Sequence, residues 1–189
     1  MKDAWRSPSR SSGRRCRSSA RSPTSPGDRR RSGIMDYLIR DASVGDSSAI
    51  AGLLSELGYP AEPSAIPRRL RELRTAGTAV ALVALNEADV VGLGTAHVFS
   101  SIHADEPIGY ITTLVVRAAS RHQGVGRALV GALEQWTVAR GCIRLSVNTG
   151  LQRAAAHSFY ERLGFNEMGR CYRKPVKSGR TVVQSRMSV

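Results

Sequence analysis

Apolar residues recur along this chain at two periods, and the pattern begins only after residue 35. Asp36–Arg40 alternates as a short strand. Behind it Ile50, Leu53, Leu54 and Leu57 fall at helical spacing, with Asp46 as the candidate N-cap and Gly58 as the stop. A second helix is predicted with Ser64 as its cap, Pro67 in its first turn, Leu70 and Leu73 facing inward and Gly77 at its end. Thr78–Leu85 and Val90–Ser100 are β-rich runs joined by Asn86-Glu87-Ala88-Asp89, a hairpin turn. Ile108–Val116 is the most continuous β-branched stretch and is expected as a central strand. After it, Val125, Ala128, Leu129, Ala132, Leu133 and Trp136 mark one face of a helix running from about Gly124 to Arg140. Ile143–Asn148 reads as a strand, and a fourth helix carries Ala156, Phe159, Tyr160 and Leu163 up to Gly164. Phe165–Tyr172 and Thr181–Met187 are two final strand candidates. Hairpins followed by a strand–helix–strand–helix–strand unit imply an α/β fold with about four helices.

Length changes the picture little, since 189 residues suit one such domain. Charge changes it more. Residues 1–34 hold nine Arg, nine Ser, three Pro and three Gly, and carry a net +8 of the chain's +13. So polar a segment cannot bury enough apolar surface to offset the entropy of ordering it, and disorder is expected there, with the domain over 35–189. Three readings of the segment stand side by side. Met35 is the biological start and the preceding residues are translated upstream sequence; or an Arg-rich arm grips phosphates or RNA; or the segment is an organelle transit peptide. Against the second, Trp5 is the one aromatic residue available to stack on bases. Against the third, amphipathic apolar spacing is missing. No apolar run approaches the roughly 18 residues of a membrane-spanning helix. Cys16, Cys142 and Cys171 match neither a metal-ligand spacing nor a secreted disulfide frame, so no metal is expected and a cytoplasmic location is.

The chemistry is concentrated where strand, tight turn and helix meet: Leu114-Val115-Val116, then Arg121-His122-Gln123-Gly124-Val125-Gly126, then the amphipathic helix. A helix's first turn has unpaired N–H groups and a partial positive charge, so it stabilises an anion. Glycines at 124 and 126 let backbone approach a diphosphate, and Arg121 adds a full charge. A plain turn that needs small residues is the competing reading. A dinucleotide-binding turn would want glycine near Leu129, and a phosphate loop would want Gly-Lys-Ser/Thr; neither is present.

Arg121-x-x-Gly124-x-Gly126 resembles the signature of the GNAT superfamily of N-acetyltransferases. Ala156-His157-Ser158-Phe159-Tyr160-Glu161-Arg162-Leu163-Gly164-Phe165 is similar to that family's block ending in Tyr-x-x-x-Gly-Phe, and Ile39-Arg40-Asp41-Ala42 fits its opening. The resemblance spans roughly residues 36–173. It implies a twisted mixed sheet in which the strand at 108–117 splays from the strand at 143–149. Acetyl-CoA would be the co-substrate, its pantetheine arm pairing with backbone around Leu114, Val115 and Val116. Its diphosphate would sit on the amides from Arg121 through His122, Gln123, Gly124, Val125 and Gly126 to Arg127. The implied chemistry is direct attack of a neutral amine on the thioester, with an amide on the central strand steadying the oxyanion. Tyr160 matches the acid that protonates the departing thiolate, and simple packing is its other reading.

Two positions depart from the family pattern. The Glu that many members use as base is replaced by Thr112 and Thr113, which leaves His97, His103, Asp105 and Glu106 as candidates. The Asn seven residues before the Tyr is replaced by Arg153, with Asn148 as a substitute cofactor contact or a mere strand terminator. A small-molecule amine is the expected acceptor, with Glu56, Asp105 and Glu106 able to attract it. A peptide amine, or a non-catalytic acyl-CoA-binding regulatory module, are the alternatives. The resemblance also implies a homodimer.

Overall fold

The structure, a computed structural model, describes residues 37–174. The Arg/Ser-rich segment, Met35 and the strand candidate Thr181–Met187 lie outside the described residues. The elements run β1 (Leu38–Asp41), α1 (Ser47–Leu57), α2 (Ile66–Thr75), β2 (Ala79–Asn86), β3 (Asp89–Phe99), β4 (Ile108–Val116), α3 (Val125–Val138), β5 (Leu145–Val147) and α4 (Ala154–Arg162). The strands form one five-stranded sheet in chain order. Its first three pairings are antiparallel and β4–β5 is parallel, so the sheet is mixed as expected.

Period-2 alternation along the strands sends side chains to two apolar clusters, one on each face. Val83, Leu85, Val90, Leu93 and Val115 pack against Ile50, Ala51 and Leu53 of α1 and Ile66 and Leu70 of α2. Val80, Leu82, Ala84, Ala96 and Ile111 pack against Val125, Leu129, Val130 and Leu133 of α3. Each fully buried aliphatic side chain contributes about 1.5–3 kcal/mol. The residue spacing did not reveal why β3 carries Gly92 and Gly94. A Cβ on Gly92 would meet Leu129 Cδ1 at 2.9 Å and Val125 Cγ1 at 3.0 Å, and one on Gly94 would meet Leu133 Cδ1 at 3.1 Å. The glycines let α3 lie directly on the sheet, which fixes the height of its first turn.

Three local expectations need correction. Ser64 does not cap α2: it lies in a 3-10 turn, Pro63–Ala65, that leads into the helix, and Ala65 occupies the cap position. Asp46 does occupy the N-cap position of α1, but its side chain makes no cap bond to the helix. Phe165–Tyr172 is not a strand, because it finds no ladder partner among the described residues.

The Asp46 carboxylate turns back instead. It receives both guanidinium nitrogens of Arg40 at 2.8 Å, the Ser43 amide at 2.7 Å and the Ser43 hydroxyl at 2.9 Å. The bonds from Arg40 and Ser43 outweigh the cost of burial and hold its pKa well below the usual 3.8, at about 2. A depressed carboxyl pKa stabilises the fold above the unfolded value, and that stabilisation is lost as pH falls through the folded value. Asp46→Asn should therefore cost about 2 kcal/mol at pH 7. In urea titrations the gap between variant and wild type should close as pH falls from about 4 towards 2; a gap that persists at pH 2 contradicts this assignment.

Candidate active site

The site is built on an irregularity in β4. The amide of Gly109 donates to the Arg144 carbonyl on the β5 side (3.0 Å), whereas the amide of Arg117 donates to Val91 on the β3 side (2.8 Å). In a regular strand, residues an even number apart point the same way. The phase therefore shifts once between them, at the register break that pairs Thr95 with Thr113 and Ala96 with Ile111 and leaves Thr112 extra. The side chains agree: Gly109 and Ile111 face α3, and beyond the break Leu114 and Val116 do.

Pairing with β5 covers only Gly109, Tyr110 and Ile111, opposite Leu145, Ser146 and Val147. Pairing with β3 continues to Val116. Past Ile111 the two parallel strands thus part company. The shifted phase turns the N–H and C=O groups of Leu114 and Val116 into the gap, and those of Thr113 and Val115 towards β3. The implied splay is present, and its backbone lining is confined to alternate residues.

At the top of the gap the chain turns from β4 into α3. His122 and Gly124 take left-handed backbone, at φ 61° and 94°. Glycine adopts that conformation freely, while a β-carbon strains it. Ala128 is the first residue of α3 to close a helical turn, onto the Gly124 carbonyl at 3.0 Å. The amides of Val125, Gly126 and Arg127 therefore have no carbonyl behind them within the helix. The Val125 side chain is buried, whereas Arg121, His122, Gln123, Gly124 and Arg127 are exposed around those amides. Gly126 has a packing reason of its own: a Cβ there would meet the Phe159 ring at 3.1 Å.

Arg121 is less free than a lone cation. Its Nε donates to the Val116 carbonyl at 3.0 Å, and its Nη2 lies 3.4 Å from Glu56 Oε2. The same Glu56 oxygen accepts the Ala118 amide at 2.8 Å. Glu56 thus ties α1 to the turn through Oε2. Gln123 is fixed from both ends, by its Nε2 on the Ala119 carbonyl (3.0 Å) and by the Tyr37 hydroxyl on its own carbonyl (3.2 Å).

On α4, Phe159 and Leu163 join the α3 cluster, as does Phe165 beyond Gly164. Tyr160 instead meets Phe159 and Phe165 edge-on, with ring centroids 5.1 Å and 5.4 Å away. Burial pushes its phenol up to about 12, opposed by the nearby Arg153 cation. The hydroxyl is therefore protonated at neutral pH. Arg153 reaches from the head of α4 to the Leu57 carbonyl at the end of α1, 3.2 Å away. Asn148 is exposed just past β5, and its amide donates to Cys171 Sγ at 3.1 Å. Sequence spacing gave no sign of either of these contacts. Cys142 has its thiol pushed up by burial, with the Arg140 cation opposing, which suits an inert thiol rather than a nucleophile.

An open strand edge that runs into a helix head with free amides has one further correlate. The Acetyltransferase (GNAT) family matches residues 49–165. The chain belongs to this family. It is an acetyl-CoA-dependent N-acetyltransferase. An aminoglycoside N(6')-acetyltransferase type 1 from Klebsiella aerogenes is 30% identical over 148 residues, 74% of this chain and 97% of its own length. An aminoalkylphosphonate N-acetyltransferase from Salmonella typhimurium is 28% identical over 145 residues, 74% and 92% of the two chains. The fold matches that of AAC(6')-Iy in complex with the bisubstrate analogue CoA-S-monomethyl-acetylneamine, at TM-score 0.65 and 21% identity over 75% of this chain and 99% of that one. Among the described residues, no helix of this acetyltransferase is long and apolar enough to cross a membrane.

Replacing Gly124 with Ala forces a β-carbon into left-handed backbone, at a cost of about 1–2 kcal/mol. The strain is relieved by moving the turn, so acetyl-CoA affinity measured by calorimetry should fall by about tenfold. Unchanged affinity would detach this turn from cofactor binding.

Proposed function

We propose that this acetyltransferase moves the acetyl group of acetyl-CoA directly onto a primary amine of a small molecule. The observation that carries the cofactor half is the open edge of β4, which leads through the turn at residues 117–124 to the free amides of α3. The pantetheine arm pairs with the backbone of Leu114 and Val116, while Val115 faces β3 and packs under α1. The diphosphate rests on the amides from Gln123 to Arg127, where aligned peptide dipoles favour negative charge. Arg121 adds its charge to that cradle from its place between Val116 and Glu56, and Asn148 stands on the opposite lip of the gap.

The acceptor half rests on the relatives, whose names specify aminoglycosides and aminoalkylphosphonates as substrates. Both classes are small molecules bearing primary amines, and both alignments cover nearly the whole relative. Acetyl-CoA supplies an activated acyl carbon with a thiolate leaving group. The protein's part is orientation, a donor for the developing oxyanion from the gap-facing amides of β4, and a proton for the departing sulfur. Tyr160 supplies that proton. Its phenol is a weak acid at about 12, so it acts as a hydrogen-bond donor that releases its proton only as charge builds on sulfur.

Thiol release from acetyl-CoA, measured with kanamycin, 2-aminoethylphosphonate and a lysine peptide, tests the acceptor class. Turnover with either small amine and none with the peptide is expected. Peptide turnover alone, or binding of acetyl-CoA with no turnover on any of them, contradicts the reading. Tyr160→Phe should lower kcat by about a hundredfold and leave acetyl-CoA affinity within twofold of wild type. Lost affinity with intact chemistry would remove Tyr160 from the role of acid.

A further inference from the structure

A row of polar side chains crosses the sheet on the face away from α3. On β3, Gly92, Gly94 and Ala96 face α3, so Leu93, Thr95 and His97 face the other way. On β4, Gly109 and Ile111 face α3, which leaves Tyr110 opposite. On β5, Leu145 and Val147 join the α3 cluster, which leaves Ser146 opposite. His97 is in register with Tyr110, and Tyr110 with Ser146. The three therefore form one cross-strand row. The apolar cluster under α1 and α2 reaches only to Leu93 and Val115, so the row is left half-exposed.

The next row is Thr95 with Thr112, the extra residue at the register break, whose hydroxyls lie 2.8 Å apart. Here β4 and β5 begin to separate, and here the family's usual carboxylate base is missing. An amine that attacks a thioester held in the gap must still lose a proton. The other groups of suitable chemistry are elsewhere. His103 is held in the loop after β3, with Nδ1 2.7 Å from Ser101 Oγ and Nε2 3.3 Å from Arg144 Nη2. Asp105 and Glu106 are exposed on the same loop. Glu56 is bound to Ala118 and Arg121. Tyr110 has its phenol pushed up by burial and by Cys171, with Arg173 opposing, which keeps it protonated.

We propose that His97 takes the proton lost by the acceptor amine, which lies along the row His97–Tyr110–Ser146 beside Thr95 and Thr112. His97 lies two steps along β3 from Thr95, about 7 Å of rise. An imidazole together with the amine, or with one intervening water, spans that distance. The proton balance closes. The amine nitrogen bonds to the acyl carbon, the carbon–sulfur bond breaks, His97 takes the nitrogen's proton and Tyr160 gives one to sulfur. Exchange with solvent then restores both groups. Thr95 and Thr112, with Tyr110 and Ser146, orient the amine by hydrogen bonding.

This inference rests on the proposed function, and its test separates the two. The groups facing His97 are Tyr110 on β4, with Cys171 and Arg173 beyond it; Ala79 is its neighbour on β2. The wild-type enzyme is assayed with kanamycin and 2-aminoethylphosphonate from pH 5 to 9, beside His97→Gln and His97→Ala. For the wild type, kcat/KM should fall on the acid side as one group is protonated. His97→Gln should lose about a hundredfold in kcat/KM, lose the acid limb, and bind acetyl-CoA within twofold of wild type. Imidazole added to His97→Ala should restore activity in proportion to its unprotonated fraction. Variants with wild-type rate and profile overturn the assignment, as does a slowed His97→Ala that binds acetyl-CoA normally and ignores imidazole. No turnover by the wild type with either amine overturns the proposed function and this inference together.

Discussion

Every backbone amide and carbonyl in a buried strand needs a partner, and in β4 that requirement is left half met. The strand keeps β3 as far as Val116 but has β5 only as far as Ile111. A single extra residue, Thr112, shifts the phase, so that the backbone groups of Leu114 and Val116 point into the gap, where the Val116 carbonyl takes Arg121 Nε and no strand partner. An extended ligand with amide groups would restore the missing ladder, in the manner of an added strand. The same strand then runs into the turn that starts α3, where amides without helical partners create a second, anion-favouring demand. One segment thus carries two kinds of unmet hydrogen bonding, along the strand edge and at the helix head.

The remaining architecture holds these demands open. Gly92 and Gly94 bring α3 down onto the sheet, and Val125 anchors its first turn in the core. Glu56 fastens the turn to the last turn of α1, and the neighbouring Leu57 carbonyl receives Arg153 from α4. The end of α1 therefore touches both lips of the gap. These contacts are polar and half-exposed, so they are small in energy and act mainly by fixing position.

The periodicity of apolar residues was enough to place all four helices, the hairpin and the central strand, because burial on a sheet face or helix stripe imposes it directly. Helix entry was harder to read. Ser64 has the right chemistry for a cap, yet Pro63 starts a 3-10 turn first; Asp46 has it too, but an Arg six residues earlier binds it more strongly. Phe165–Tyr172 alternates like a strand and has no neighbour to pair with, a tertiary fact that no local pattern contains. The turn from Arg121 to Gly126 was visible because glycine and helix heads have few other uses together. The pairing of Arg121 with Glu56 and of Asn148 with Cys171 was invisible, since the partners lie 65 and 23 residues apart in sequence. The cross-strand row at His97 needed the β-bulge to be located, because one extra residue reverses which side chains share a face.

The central claim is that main-chain amides at the head of α3 hold the diphosphate of coenzyme A. Amide chemical shifts of the isotopically labelled protein, followed as coenzyme A is added and compared with addition of pantetheine, test it residue by residue. The account predicts large shifts at Gln123, Gly124, Val125, Gly126 and Arg127 with coenzyme A that pantetheine does not produce, while Leu114 and Val116 respond to both. Shifts that leave residues 123–127 unmoved, or that centre on another part of the molecule, would contradict it.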